Sequence, residues 1–319
     1  MNGKVYDLDA FFQTTNEDLE KKITSTISDT KIVSILEGRK HLCPFLVHLS
    51  FKTCTRGNET PSQYQKALEG AVSIELVRTA SLVHKDIINK ETRVKSNFHI
   101  ERDIDNAILT GHRMLAIGFN IALKQGEEIA KLYVDTWNEA LDGELKEVNF
   151  NKKDTKNNPD EVSKSKIFAE YEQIIGMKTA ILFSSACKAG AIEANMSGDI
   201  LKVFADYGRE IGLAYQLADD LVDLAKGKSI LSPILLLLIR LDNHNIYDDS
   251  FKEKKFRKKF NKNSSETKEL FICEIKRHVI NAKELSKSEI ISLSPYRDLL
   301  TEAPAYIINK MLKEIKIAI

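Results

Sequence analysis

Three aspartates, Asp219, Asp220 and Asp223, stand close together in the second half of the chain. The apolar residues around them recur with helical spacing from Phe204 onward, and no proline interrupts the run, which predicts a helix. On a helix the three carboxylates share one face, where they repel each other. Hard cations with oxygen ligands, such as Mg²⁺, would relieve that repulsion. The alternative is a solvated acidic patch, so the pattern alone leaves both interpretations open.

The composition favours a helical globular protein with a sizeable core. Of the 319 residues, 43% are hydrophobic and 29% are charged, and only 14 glycines and 6 prolines interrupt them. A net charge of +1 argues against nucleic acid as the general partner. The sequence shows no signal pattern and no apolar run long enough for a transmembrane segment. We therefore expect one domain over residues 1–319, in the cytoplasm, with four free thiols at Cys43, Cys54, Cys187 and Cys273.

Periodicity and helix-breaking residues place further elements along the chain. One helix is predicted from Leu19 to Leu36, another after Pro44, and a long one from Tyr64 to Ile88. The polar stretch 151–165 is predicted to be a loop between helices. The lysine-rich run 252–262 is predicted to be a solvated face, with an anionic membrane surface or an acidic partner as the alternative.

Several stretches resemble the motifs of trans-isoprenyl (polyprenyl) diphosphate synthases, and they occur in that family's order. Residues 74–89, IELVRTASLVHKDIIN, resemble the first aspartate-rich region, and residues 214–223, AYQLADDLVD, resemble the second. Between them, residues 178–187 read KTAILFSSAC, and residues 294–297 read SPYR, as in the family. The resemblance implies an all-α bundle of antiparallel helices around a central cavity, usually in a homodimer. It also implies that the helices carrying Asp86 and Asp219 face each other.

The resemblance implies a reaction and a set of site residues. The family condenses isopentenyl diphosphate with an allylic diphosphate, using Mg²⁺ held by aspartates. The implied metal ligands are Asp219, Asp220, Asp223 and Asp86, and the implied catalytic residues are Asp219, Asp220, Lys178 and Asp86. The implied contacts to isoprenoid diphosphate substrates are Lys40, Arg78, Arg93, Lys178, Thr179, Tyr215, Gln216 and Lys228.

The first motif departs from the family pattern. The family places aspartates at three positions where this chain has Lys85, Asp86 and Asn89. An ammonium cannot coordinate Mg²⁺, so only one carboxylate of three remains. Cys43 stands where the family has a diphosphate-binding arginine, and a thiol cannot replace the bidentate contact. Arg78 stands at a position where the family usually has histidine, and would supply part of the missing charge.

These departures leave three hypotheses open. The first is an active prenyltransferase, and the small residues Ala80 and Ser81 before the first motif then imply a long product. The second is a non-catalytic or regulatory subunit that forms a heteromer with a complete synthase. The third is a terpene cyclase-like relative that ionises a diphosphate but needs no isopentenyl diphosphate site.

Overall fold

In the computed structural model, the described residues are 7–88, 104–153, 164–226, 266–289, 291 and 293–319. These residues form helices, with no strand among them, which confirms the predicted all-α class. The α-helices are α1 (Leu8–Thr26), α2 (Thr30–Leu36), α3 (Leu42–Thr55), α4 (Pro61–Ile88), α5 (Ile104–Gln125), α6 (Glu127–Lys153), α7 (Lys164–Ile175), α8 (Ile181–Glu193), α9 (Asp199–Lys226), α10 (Glu266–Ser286) and α11 (Arg297–Leu312). A π-helical turn, Gly176–Ala180, joins α7 to α8.

The helix predicted from Leu19 to Leu36 is two helices, and the prediction of one was wrong. The chain leaves the helical conformation at Ile27, and Asp29 then caps α2 by accepting hydrogen bonds from the backbone N–H groups of Lys31 and Ile32. An N-cap carboxylate satisfies donors that would otherwise have no partner, so a new helix begins there. The helix predicted after Pro44 begins earlier, at Leu42, and the stretch predicted as a loop is still helical up to Lys153.

Helix α8 lies at the centre of the bundle. It is buried around almost its whole circumference, as expected of a helix that is apolar on all sides, and it packs against α3, α4, α6 and α9. One continuous apolar core includes residues from all eleven α-helices. Because both α4 and α9 contact α8, the two helices that carry the aspartate-rich motifs share one rigid support.

A glycine sets the position of α9. A Cβ atom at Gly212 would lie only 2.5 Å from the Cα atom of Ala180, so only glycine lets α9 approach the π-helical turn this closely. This approach brings the turn that carries Lys178 and Thr179 beside the helix that carries Asp220.

Several sequence predictions lie outside the described residues. They concern Asn89, Arg93, Lys228 and the basic run 252–262. Among the described helices, none combines the length and the apolar character needed to cross a bilayer.

Candidate active site

Asp220 is held by a relay of side-chain hydrogen bonds. The amide nitrogen Nε2 of Gln216, one turn earlier on α9, donates to Asp220 Oδ1 at 3.0 Å. The hydroxyl of Tyr171 on α7 donates to Asp220 Oδ2. Thr179 Oγ1, from the π-helical turn, donates to Gln216 Oε1 at 2.8 Å. Three segments therefore fix the orientation of one carboxyl group, and the predicted residues Thr179, Gln216 and Asp220 lie together.

The second motif is an electrostatically crowded group of carboxyls. Burial, followed by the neighbouring charge of Asp219, raises the pKa of Asp220 to about 7, while the hydrogen bonds from Tyr171 and Gln216 act in the opposite direction. A carboxyl whose pKa is raised by a like charge gains stability when a cation approaches. The donor atoms are oxygens, which are the ligands that Mg²⁺ prefers, so the residues fit a divalent ion.

Within the described part of the chain, no group of three or more His, Cys, Asp or Glu side chains forms a metal cage. Magnesium ions at phosphate-binding sites are commonly held by one or two carboxylates, with the remaining positions filled by phosphate and water oxygens. Asp219, Asp220 and Asp223 suit that kind of site, in which the protein supplies part of the ligand sphere.

Lys178 occupies a position that sequence reasoning did not foresee. Its ammonium is paired with two carboxylates of α6, Glu144 at 3.0 Å and Glu147. Burial alone would lower the pKa of Lys178. The two carboxylates raise the pKa by more, so the ammonium stays protonated. A Cβ atom at Gly143 would lie 2.8 Å from Lys178 Cγ, so the glycine makes room for the lysine stem. Lys178 is thus held against α6 by an acidic pair.

A second charge cluster lies on α4. Glu75 is fully buried, and its Oε1 atom lies 3.5 Å from Arg78 Nη1 and 3.3 Å from His41 Nδ1. Burial alone would raise the pKa of Glu75. The positive charge of Arg78 and the contact with His41 lower the pKa by more, so it lies below its ordinary value. Arg78 also interacts electrostatically with Tyr215 of α9, which raises the pKa of Arg78. This part of α4 therefore lies near α9.

The segment before α3 explains how the chain accommodates Cys43. The Cys43 thiol is fully buried close to Arg78, and burial raises its pKa to about 12, so it stays neutral. His41 has a left-handed backbone (φ 38°) and pairs through Nε2 with Glu20 of α1 at 3.2 Å. Lys40, the predicted diphosphate contact in this segment, is exposed to solvent.

Electrostatic interactions connect the ends of α4 and α9 that carry the two motifs. Lys85, in the last turn of α4, is one of the groups that act electrostatically on Asp220 of α9. Arg39 interacts in the same way with both Asp86 of α4 and Tyr215 of α9. The facing surface therefore combines carboxylates on α9 with cations on α4 and in the segment before α3.

Sequence reasoning missed four contributors: Tyr171, Glu144, Glu147 and Glu75. Glu144 and Glu147 are three residues apart, so they share a face of α6, but nothing local indicates that Lys178 lies against it. Tyr171 carries no local signal at all. Glu75 does have one, because a charged residue in the middle of an apolar stretch must find partners.

Comparison with known proteins supports this picture. Residues 26–233 match the family model described as polyprenyl synthetase. The chain belongs to the polyprenyl synthetase family.

Individual relatives are distant. A geranylgeranyl pyrophosphate synthase of Geoglobus acetivorans is 26% identical over 303 residues, covering 86% of this chain and 87% of that protein. A geranylgeranyl diphosphate synthase of Methanosarcina mazei is 26% identical, but the match spans only 53% of its length and 54% of this chain. The chain thus spans about half the length of some of the curated relatives it matches.

Solved structures show the same fold. A geranylgeranyl pyrophosphate synthetase from Geoglobus acetivorans aligns with a TM-score of 0.73 at 23% identity, covering 94% of this chain and 98% of that one. A polyprenyl synthase from Caulobacter crescentus CB15, complexed with calcium and isoprenyl diphosphate, aligns with a TM-score of 0.67 at 21% identity, covering 96% and 98%.

Proposed function

We propose that this protein is a prenyltransferase that condenses isopentenyl diphosphate with an allylic diphosphate, as a single domain and with Mg²⁺ bound at the α9 carboxylates. The observation that carries the proposal is the hydrogen-bonded relay from Thr179 through Gln216 to Asp220, which orients one carboxyl against the facing helix. Family membership and the names of the relatives support the same activity. The small residues Ala80 and Ser81 favour a long product.

The residues of this chain have distinct tasks in the proposed reaction. The allylic C–O bond breaks, the released diphosphate takes the electron pair, the double bond of isopentenyl diphosphate attacks the carbocation, and a proton leaves. Negative charge therefore develops on the leaving diphosphate, where pre-positioned cations lower the barrier most. Among the described residues, we assign this stabilisation to three cations: Lys178, Arg78 and Lys40. A divalent ion, when bound, would add Lewis-acid stabilisation of the same charge.

The assay is direct. Purified protein incubated with labelled isopentenyl diphosphate, Mg²⁺ and allylic diphosphates of increasing length should yield labelled prenyl products. We expect the product yield to fall by roughly 10²–10³-fold in Asp220→Ala, the range seen when a preorganised stabilising group is removed. Absence of product with every allylic substrate, from folded protein, would contradict the proposal. Formation of a cyclic hydrocarbon from an allylic diphosphate alone would instead favour the cyclase-like hypothesis.

A second candidate is a regulatory subunit that forms a heteromer with a complete synthase. The observation that favours it is Lys85, which faces Asp220 where the family has a metal ligand. Stimulation of a complete synthase by a protein that is inactive alone would establish this role.

An exposed apolar stripe supports the proposed association through helices, as a homodimer or a heteromer. It consists of four side chains on α6, each at least 40% exposed: Val134, Leu141, Leu145 and Val148. The adjacent helix α5 exposes Leu109 and Leu123 as well. Those on α6 are spaced at seven, four and three residues, so they line one face. Water-exposed apolar rows of this kind commonly mark interfaces.

Sedimentation tests this association. We expect the wild type to form a dimer at micromolar concentration, and Leu145→Glu to shift it toward the monomer. A monomeric wild type that also fails to bind a co-expressed synthase would contradict the proposal. The cytoplasmic location is proposed from the four cysteines, all of which are free thiols.

A further inference from the structure

Helix α7 brings the hydroxyl of Tyr171 to the carboxyl of Asp220, and α7 itself packs on α10. The ring centroid of Phe271 on α10 lies 5.9 Å from that of Phe168 and 5.7 Å from that of Tyr171, both on α7. All three aromatic side chains are buried. Phe168 and Tyr171 are three residues apart, so they share a face of α7. Aromatic pairs at these distances pack favourably, so α10 supports the helix that carries the Tyr171 hydroxyl.

His278, seven residues after Phe271 on the same face of α10, makes a second attachment. Its side chain is only 1% exposed. The Nε2 atom of His278 lies 3.0 Å from Glu172 Oε1 on α7, and its Nδ1 atom lies 2.8 Å from Glu210 Oε2 on α9. Asn281, about one turn further along α10, donates a hydrogen bond to the same Glu210 oxygen at 3.1 Å. One imidazole ring thus ties α10 to both α7 and α9.

The two carboxylates around His278 favour a proton on each of its ring nitrogens. A carboxylate only accepts hydrogen bonds and a neutral imidazole has a single N–H, so an imidazolium is the form that satisfies both contacts. Burial alone would lower the pKa of His278, but the hydrogen bonds to Glu172 and Glu210 raise it by more. The guanidinium of Arg277 opposes this charge, with Nη2 3.1 Å from His278 Nε2 and 2.8 Å from Glu172 Oε1. The Arg277 side chain is 44% exposed, so the buried link from α10 to Glu172 is the imidazolium.

We propose that His278 is a positioning residue for the proposed reaction. As an imidazolium between Glu172 and Glu210 it fixes α7 against α9, and the fixed α7 keeps the hydroxyl of Tyr171 on the α9 carboxyl. Glu172 directly follows Tyr171 in the chain, so a shift of α7 at Glu172 moves the tyrosine as well. The proposal rests on the proposed function, in which Asp220 is a ligand of the divalent ion. Groups that orient a metal-binding carboxylate set part of the metal affinity, so His278 acts on the site through two intervening side chains.

The test measures the Mn²⁺ affinity of the full chain by electron paramagnetic resonance in the presence of inorganic diphosphate. We expect Tyr171→Phe to weaken Mn²⁺ binding by at least about tenfold, and His278→Gln by at least about threefold. The double variant should bind no more weakly than Tyr171→Phe alone, because His278 acts through the tyrosine. Glu172→Gln removes the same contact from a more exposed side chain, and should reproduce the loss where His278→Gln does not fold. Arg277→Gln is the matched control, since it removes an exposed charge beside the same carboxylate, and should change the affinity by less than about twofold.

Wild-type Mn²⁺ affinity in folded His278→Gln or Glu172→Gln would overturn the inference. Additive losses in the double variant with Tyr171→Phe would also overturn it, because they indicate a merely structural effect. The proposed function fails separately. Protein with the expected Mn²⁺ affinities that forms no prenyl product would leave the positioning role standing and remove the prenyltransferase activity.

Urea denaturation tests the proton on His278 without any ligand. Because the folded-state pKa of His278 lies above its unfolded value of about 6.5, its stabilising contribution is present at about pH 6 and is lost as the pH rises through the folded value. The stability deficit of His278→Gln relative to the wild type should therefore shrink between about pH 6 and pH 9. A deficit of equal size at both pH values would contradict the imidazolium.

Discussion

The end of α4 and the face of α9 are opposite walls of one site, but they are built differently. On α9, Asp219, Asp220 and Asp223 share one face, and Asp220 receives hydrogen bonds from both Tyr171 and Gln216. On α4, the corresponding turn places the ammonium of Lys85 beside Asp86. The carboxylates of α9 are supported by hydrogen bonds, whereas the end of α4 combines a carboxylate with an ammonium.

The difference extends below the site. Arg78, beside the buried thiol of Cys43, is balanced by the fully buried Glu75. A buried charge is tolerated only when it is paired, and this cluster meets that condition. The cationic wall is therefore an organised structure, and the comparison predicts that the two walls respond to mutation in opposite ways.

The largest expected effect comes from making the walls alike. Lys85→Asp combined with Asn89→Asp restores two carboxylates to the first motif. If the cavity retains the family geometry, we expect prenyl transfer to rise by tens-fold or more, because each recovered charge-assisted contact contributes roughly 1.5–3 kcal/mol. The initial rate with labelled isopentenyl diphosphate measures this, with Lys66→Asp as the control. A double variant that folds, binds diphosphate and shows no gain would mean that the α4 wall does not limit the reaction.

The next effect concerns Cys43. Cys43→Arg would place a second guanidinium in a buried space beside Arg78, so we expect the single variant to lose about 3 kcal/mol or more of unfolding free energy. Adding Arg78→His should recover most of the loss. Urea denaturation of the two single variants and the double variant gives the coupling between the positions. Additive losses would show that the two side chains do not share one space.

Glu193, a buried carboxyl on α8 away from the site, can be compared with Asp220 of α9. Burial raises the pKa of Glu193 to about 7, and its Oε1 atom has no hydrogen-bond partner in the structure. Because the folded-state pKa lies above the unfolded value, stability should fall as the pH rises from about 4.5 to 7 and then level off. We expect Glu193→Gln to add about 2 kcal/mol at pH 8 and little at pH 4. Denaturation at both pH values measures this.

Two observations complete that test. Glu69→Gln is the control of opposite sign, since Glu69 receives hydrogen bonds from Lys22 at 2.7 Å and Gln125 at 2.6 Å, and should become less stable. Divalent-ion affinity should be unchanged in Glu193→Gln. A loss of that affinity would mean that Glu193 contributes to the metal site.

The sequence was sufficient for features that depend on local periodicity and on motif order. The helix that carries Asp219–Asp223 and the shared face of its carboxylates follow from spacing along the chain. The all-α class follows from the low glycine and proline content and from the resemblance to the family. The same reasoning overlooked the break between α1 and α2, because it did not weigh Asp29 as a helix cap against the continuing apolar pattern.

Contacts between distant segments were beyond that reasoning. The pairing of Lys178 with Glu144 and Glu147 depends on how closely α6 approaches the π-helical turn, which no local pattern encodes. The pairing of His41 with Glu75 likewise needs a left-handed backbone at a residue other than glycine. Residue types thus indicated which chemistry was available, and tertiary packing determined which charges neutralise each other.

The most direct test of the account compares metal binding at the two walls. Electron paramagnetic resonance of Mn²⁺ in the presence of inorganic diphosphate should be recorded for the wild type, Asp219→Asn and Asp86→Asn. The account predicts that Mn²⁺ affinity falls by at least about tenfold in Asp219→Asn and changes by less than about twofold in Asp86→Asn. A large loss in Asp86→Asn with Asp219→Asn unaffected would contradict it, and would place the metal on the α4 wall.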